Sequence, residues 1–179
     1  MKSRPSEYTK RQEGTTTVFQ VVPASAPKFT YLLIIGVVCA FGGLVSIASG
    51  FGVFFLLMGG FALWYGWTRD QRPKDHKVPM SFRVTPEQID ASGRTFAKSD
   101  IHRLILKNGI TDKELNIQQW TSNTNVAAGM AQRAKIAQVA NSLNVETGGK
   151  SYLLAGGMDE TTAYGLLTDV SKILALNIS

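Results

Sequence analysis

The chain is short of nearly everything that catalysis and covalent stapling require. It has one cysteine, Cys39, so no internal disulfide can form, and that residue reads as a small apolar filler. Its two histidines, His76 and His102, stand in no H-x-H, H-E-x-x-H or C-x-x-C arrangement, so no metal site is expected. A G-x-S-x-G nucleophile motif and a complete phosphate loop are both missing. Gly148-Gly149-Lys150-Ser151 carries the last letters of such a loop, but Asn144 stands where the upstream glycine belongs, in a strand-turn-strand setting rather than strand-to-helix. These gaps predict a protein that is not an enzyme, with no catalytic residue, no cofactor and no small-molecule substrate. The sharpest absence is of charge. Residues 29–68 form an unbroken run of 40 without Asp, Glu, Lys, Arg or His, although the mean hydropathy of the 179-residue chain is only +0.01.

That run is built from Leu, Ile, Val, Phe, Gly and Ala, and a soluble domain of this size does not easily hide it. As one helix it would be about 60 Å long, roughly twice the hydrocarbon thickness of a bilayer. Two spans fit better, over about 29–47 and 51–68, turning through the small residues of Ser46-Ile47-Ala48-Ser49-Gly50-Phe51-Gly52. Tyr31 at one end and Trp64, Tyr65 and Trp67 at the other are placed as interfacial aromatics. Small residues spaced four apart (Gly42 with Ser46, Ser46 with Gly50, Ala48 with Gly52, Ala62 with Gly66) let helices approach closely, chiefly each other. Without ionisable groups inside the spans, a pump, proton relay or ion channel is disfavoured. The 28 polar residues ahead of the run and the second span behind it argue against a cleaved signal peptide.

The charge lies where a membrane would put it. Of a net +6, residues 1–28 hold five basic against two acidic residues and residues 69–77 four against two, leaving 78–179 nearly balanced. Arg69 and Arg72 follow the second span directly. Basic flanks and an uncharged turn predict both termini on the cytoplasmic side of a membrane, a multi-pass topology, with anionic lipid attracted to the flanks. A nucleic-acid partner would need a basic face on the folded domain, which the balanced remainder does not offer.

Outside the run, residues 1–14 read as a mobile basic leader. Residues 15–22 are β-branched and aromatic enough for a strand, one that either completes the sheet edge of its own domain or pairs with a partner by strand addition, with Phe19, Val18 and Val21 as candidate partner anchors; an unpaired extended segment fits the propensities equally. After a charged linker over 69–77, residues 78–179 form a domain large enough for one core. Met80-Ser81-Phe82-Arg83-Val84, Gln88-Ile89-Asp90-Ala91 and Thr95-Phe96-Ala97-Lys98 read as short strands. So do 101–106, 114–120 and the pair 143–146 and 152–155 around Thr147-Gly148-Gly149-Lys150. Residues 125–141 are alanine-rich and predict an inserted helix. Asp159 is placed to cap a last helix whose apolar stripe includes Leu166, Val170 and Ile173, expected to plug the sheet.

Ser81-Phe82-Arg83-Val84-Thr85-Pro86-Glu87-Gln88-Ile89, then Ser92-Gly93-Arg94 and Ser99-Asp100-Ile101, with a closing helix over 163–174, resembles the bacterial membrane-anchored pleckstrin-homology-like (PH-like) domain proteins. The resemblance implies an α+β domain, an antiparallel small barrel or meander closed by a C-terminal amphipathic helix, tethered by the N-terminal helical hairpin. It implies a binding or scaffolding module and supplies no catalytic residues. The expected function is a non-catalytic inner-membrane adaptor or accessory subunit, with membrane lipid and a membrane-protein assembly or a second copy as partners. An anionic-lipid-binding module is the alternative, though Thr85-Pro86-Glu87 offers no basic cluster for a phosphate. A membrane-embedded enzyme or transporter subunit comes after it.

Overall fold

The computed structural model describes residues 4–70, 72–110 and 134–176. Among these, 4–26, 72–110 and 134–176 form one compact unit and 27–70 a second. The first is an α+β domain of two antiparallel sheets. One sheet runs in the order β1 (Glu7–Glu13), β2 (Thr16–Val22), β3 (Met80–Val84), β4 (Gln88–Ala91), β5 (Arg94–Ala97). The other runs β6 (Ile101–Asn108), β7 (Asn141–Thr147), β8 (Lys150–Met158). The second unit is a helix pair, α1 (Thr30–Val45) and α2 (Phe51–Thr68), and it is inserted between β2 and β3.

The strands after the insertion follow the alternation of their sequence. Phe82 and Val84 of β3, Ile89 and Ala91 of β4 and Phe96 of β5 are buried on one face, while Ser81, Arg83 and Thr95 face water. Thr85 closes the β3–β4 turn, its hydroxyl accepting from the Gln88 N–H at 3.1 Å. Gly148 and Gly149 both sit at positive φ, +55° and +72°, between Thr147 and Lys150. That is the pair of left-handed residues a two-residue hairpin turn demands, and glycine adopts it without strain. The closing helix α3 (Glu160–Leu174) is capped by Asp159, whose carboxylate accepts from Thr162 N at 2.9 Å. Leu166 and Val170 are fully buried against the sheets, and Ile173 is half-buried at the edge of the same cluster.

The N-terminal segment corrects the expectation of a separate leader. Residues 7–13 are a strand, and β1–β2 is a hairpin turning at Gly14. β2 then pairs with β3 in the register Thr17 to Val84, Phe19 to Phe82 and Val21 to Met80. Phe19 is fully buried, stacked on Phe82 with ring centroids 5.3 Å apart. Burying a side chain of this kind contributes about 1.5–3 kcal/mol, which explains why a strand so far from the rest in sequence is recruited into the core. The domain therefore does not begin at residue 78; residues 4–26 supply two of the five strands of its larger sheet.

Polar fastenings hold this hairpin to α3. The Ser6 hydroxyl donates to Asp159 Oδ2 at 2.7 Å and accepts from the Asp159 N–H at 2.9 Å, and the Thr162 hydroxyl donates to the Ser6 carbonyl at 3.1 Å. On the next turns, the Tyr8 hydroxyl and Lys10 Nζ both donate to Asp169 Oδ2, at 3.0 and 2.9 Å. Asp159 is thus both helix cap and anchor for the strand. Hydrogen bonds from Ser6 and Thr162 hold its carboxyl below the usual value against the opposing effect of burial.

The expected strand over 114–120 lies outside the described residues. So does most of the expected helix over 125–141; its described part is helical at 134–137, and Asn141 already belongs to β7.

Two outcomes test this account. Phe19→Ala is expected to cost about 3–5 kcal/mol of domain stability, read by denaturant unfolding of the detergent-solubilised chain. Loss of partner binding by Phe19→Ala in a domain with unchanged stability would contradict it. Asp159→Ala is expected to cost about 1–3 kcal/mol through the lost cap and the orphaned Ser6 groups. Because folding lowers the Asp159 pKa, this contribution is full above its unfolded value near ~4 and is lost as pH falls through the folded value. The variant should accordingly show a weaker acid dependence of stability below about pH 4 than the parent chain.

Candidate functional site

Three regions of the two units carry groups that packing alone does not explain: the surface of the helix pair, the junction around His76, and a groove at one corner of the domain.

In the helix pair, glycine sets the contact. A Cβ on Gly36 would lie 2.7 Å from the Leu63 side chain, one on Gly43 would lie 2.8 Å from the Gly52 carbonyl, and one on Gly59 would lie 2.6 Å from the Ala40 nitrogen. Gly52 and Gly66 sit on the same seam, against Gly43 and Ile47 and against Leu32 and Leu33. The spacing is Gly36–Gly43 on one helix and Gly52–Gly59–Gly66 on the other, one glycine per seven residues. That repeat keeps a narrow stripe on one side of a helix. It was readable in the sequence, and the four-residue pairs only partly coincide with it. Gly42 has nothing within 4 Å of an added Cβ and lies away from the seam, Gly50 makes the turn at φ +76°, and Ser46 and Ala62 are half-buried. Gly42 is therefore corrected from a packing residue to an outward-facing one.

With backbones this close, the large side chains point outward. Val38, Phe41, Val45, Phe51, Leu57, Phe61, Tyr31, Trp64 and Trp67 are all more than half exposed, Val45 at 73%. Of the two helices, α2 has 18 residues and is long and apolar enough to cross a membrane, while α1 has 16. At the open end of the pair the Phe29 N–H donates to the Gly66 carbonyl at 3.2 Å. There Lys28 Nζ lies over the Trp67 ring and the Arg69 guanidinium over the Tyr65 ring, 5.5 Å from its centroid.

Arg72 departs from its expected role at the membrane interface. Its residue is 7% exposed within the α+β domain, and Nη1 donates to the Ala24 carbonyl at 2.6 Å. A buried guanidinium needs such acceptors. Ala24 in turn donates to the Gly157 carbonyl at 2.8 Å, so the chain leaving β2 and the chain returning to β3 are fastened together inside the domain. Phe19 and Val21 are core residues and Val18 is half-buried on the other face of β2; none of the three lies on an open edge. Strand addition through β2 is thereby excluded, because both of its edges are already paired.

Beside Arg72, the His76 ring occupies a slot lined by two glycines. A Cβ on Gly109 or on Gly156 would lie 2.7 Å from the ring. His76 is 5% exposed, and its Nδ1 is buried with no hydrogen-bond partner. Burial pushes its pKa down and Arg72 adds to this, opposed by Asp75. Among the described residues, no three His, Cys, Asp or Glu side chains converge as metal ligands would.

The groove lies where β5 and β8 come together without pairing. Ala91, Ser92, Arg94, Phe96, Tyr152 and Leu153 line it, and its volume is about 460 Å³. Phe96 and Tyr152 form the floor with centroids 5.2 Å apart, and the Arg94 guanidinium lies 5.0 Å over the Tyr152 ring. The sequence carried no signal for it, since its two walls are more than fifty residues apart and neither is a motif.

Comparison with protein-family models, curated proteins and solved structures finds no match to the chain.

Since folding lowers the His76 pKa, the unfolded chain binds the proton more tightly, and stability is expected to fall as pH drops below about 6.5. Chemical denaturation from pH 8 to pH 5 reads this, with His76→Gln flattening that part of the profile. A Gly59→Leu substitution should separate the helix pair, while Gly60→Leu, with nothing within 4 Å, should not; a cross-link between cysteines introduced on the two helices distinguishes them.

Proposed function

We propose that this chain is a non-catalytic membrane-anchored adaptor or accessory subunit of a bacterial inner-membrane assembly. In this reading α1 and α2 insert as a two-span hairpin, and the α+β domain, PH-like in its meander and closing helix, faces the cytoplasm and binds a protein partner. The observation that carries it is the outward surface of the helix pair. Its seam is lined by glycine and its exterior by exposed Phe, Leu, Val and Trp, an arrangement that water penalises and lipid accepts. Sixteen residues of α1 rise about 24 Å. The apolar residues on either side of the helix lengthen the stretch toward the roughly 30 Å of hydrocarbon it has to cross.

The domain supports this topology independently of charge. Strands β2 and β3 flank the insertion and pair within one sheet, which favours both ends of an inserted helix pair on one side of a membrane. The basic residues at 28, 69, 74 and 77 favour the cytoplasmic side. A second reading, an anionic-lipid-binding module, is favoured by Lys28 over Trp67 and Arg69 over Tyr65, which set two cations at interfacial aromatics.

The anchor is tested by fractionation. The chain should stay with membranes through alkaline carbonate washing, and reporters fused to its two ends should both read cytoplasm. Reporters on opposite sides would exclude the hairpin. Co-purification from mild detergent separates the two readings: a stoichiometric protein supports the adaptor, whereas anionic phospholipid alone supports the lipid module.

A further inference from the structure

We propose that the corner groove between β5 and β8 receives a short extended segment of a protein partner, with an acidic side chain on Arg94 and apolar side chains over Phe96, Tyr152 and Leu153. The proposal rests on the adaptor reading and names the surface through which it acts.

Among the described residues four strands stand at sheet edges, and two of them, β5 and β8, line this corner. β1 is an edge, but it carries Lys10 and Arg11, the charged residues that protect an edge from further pairing, and Lys10 is already engaged by Asp169. β6 is an edge whose Arg103 is paired with Glu146 at 2.7 Å. β5 and β8 differ from both. Among the described residues each pairs on one side only, with β4 and with β7, and side chains of both line the groove. An extended segment laid there meets two aromatic rings beside two edge strands, a setting in which strand addition draws affinity from the backbone and selectivity from alternate side chains.

Arg94 sets the charge of the occupant. It is exposed, its guanidinium rests on the Tyr152 ring, and no carboxylate of the described residues pairs with it. The nearby Asp90 is engaged elsewhere, accepting from the Thr95 hydroxyl at 2.6 Å and from the Gln88 amide at 3.1 Å. A guanidinium already oriented by a ring loses little freedom when it takes a carboxylate on its fork. A volume of about 460 Å³ falls within the range of ligand clefts, and its open form suits a segment that enters and leaves.

The experiment uses the full chain in detergent micelles and two end-capped hexapeptides, one alternating valine with glutamate and one alternating valine with lysine. Affinity is read by calorimetry and placement by backbone amide shifts and hydrogen exchange. The glutamate peptide is expected to bind at least about tenfold more tightly than the lysine peptide, a difference of about 1.4 kcal/mol. It should shift and protect amides in 94–97 and 150–153, and Arg94→Gln should abolish the preference while the domain keeps its stability. Equal affinity for the two peptides, shifts confined to other strands, or an Arg94→Gln chain that retains the preference would overturn the proposal. So would acetyl-glutamate amide competing as well as the peptide, which would mark a small-anion site. Failure here is distinguishable from failure of the adaptor reading. A partner that co-purifies undiminished with the Arg94→Gln chain leaves the adaptor standing and rejects the groove.

Discussion

The pairing of β2 with β3 is the interaction on which the rest of the structure depends. It joins residues 16–22 to residues 80–84 across the whole helix pair, and the stack of Phe19 on Phe82 lies at its centre. Without it the larger sheet would lose both N-terminal strands, α3 would lose Ser6, Tyr8 and Lys10, and the core would open at Phe19 and Val21. The closure entropy of a long connection grows only with the logarithm of its length, so inserting the helices costs the sheet little beyond what a short loop would. The helices reduce even that, because α1 and α2 double back on a glycine seam and return the chain near its point of departure, where the Phe29 N–H meets the Gly66 carbonyl.

Where polar groups enter the domain, geometry decides whether they strengthen it. Lys10 with Asp169 and Arg103 with Glu146 are partly exposed pairs, screened by solvent, and contribute little. Asp159 and Arg72 matter more, because each satisfies several chain segments at once. Asp159 caps α3 and holds Ser6, and Arg72 places a buried guanidinium on the carbonyl of Ala24. Removing either would leave buried donors or acceptors without partners, which costs more than the hydrogen bond itself contributes. His76, next to Arg72 with Nδ1 unpartnered, is the one described buried side-chain atom that the fold leaves unsatisfied. Burial in its glycine-lined slot pushes its pKa down, so acid is expected to weaken the packing there.

The helix pair and the domain obey different packing rules for a physical reason. In the domain, apolar side chains interdigitate inward around Phe82, Ile89, Leu143 and Val170. In the pair, backbones meet through glycine and the large side chains turn out. A seam of this kind draws on close van der Waals contact rather than on burial of apolar area, the contact that remains favourable where the surroundings are themselves apolar.

The sequence by itself determined whatever depends on neighbours a few residues apart. The uncharged run, the turn at Gly50, the alternation of β3 and β4, the Gly148-Gly149 hairpin, the Asp159 cap and the stripe of Leu166 and Val170 are all local patterns, and the elements formed where those patterns lie. Tertiary structure decided what depends on partners far along the chain. The segment Glu7–Glu13 has little apolar alternation and becomes a strand because β2 offers it an edge and α3 offers Asp169 to Tyr8 and Lys10. Whether the strand of Phe19 pairs with its own domain or with a partner was open in the sequence, because the choice depends on residues far along the chain; the register with β3 and the stack on Phe82 decide it. Arg72 looked like a membrane flank because its neighbours in sequence are charged, yet the carbonyl that holds it belongs to Ala24 on the opposite side of the insertion. The groove at Arg94 and Tyr152 is of the same kind: two sheet edges brought together by the fold, with each half unremarkable in its own stretch of sequence.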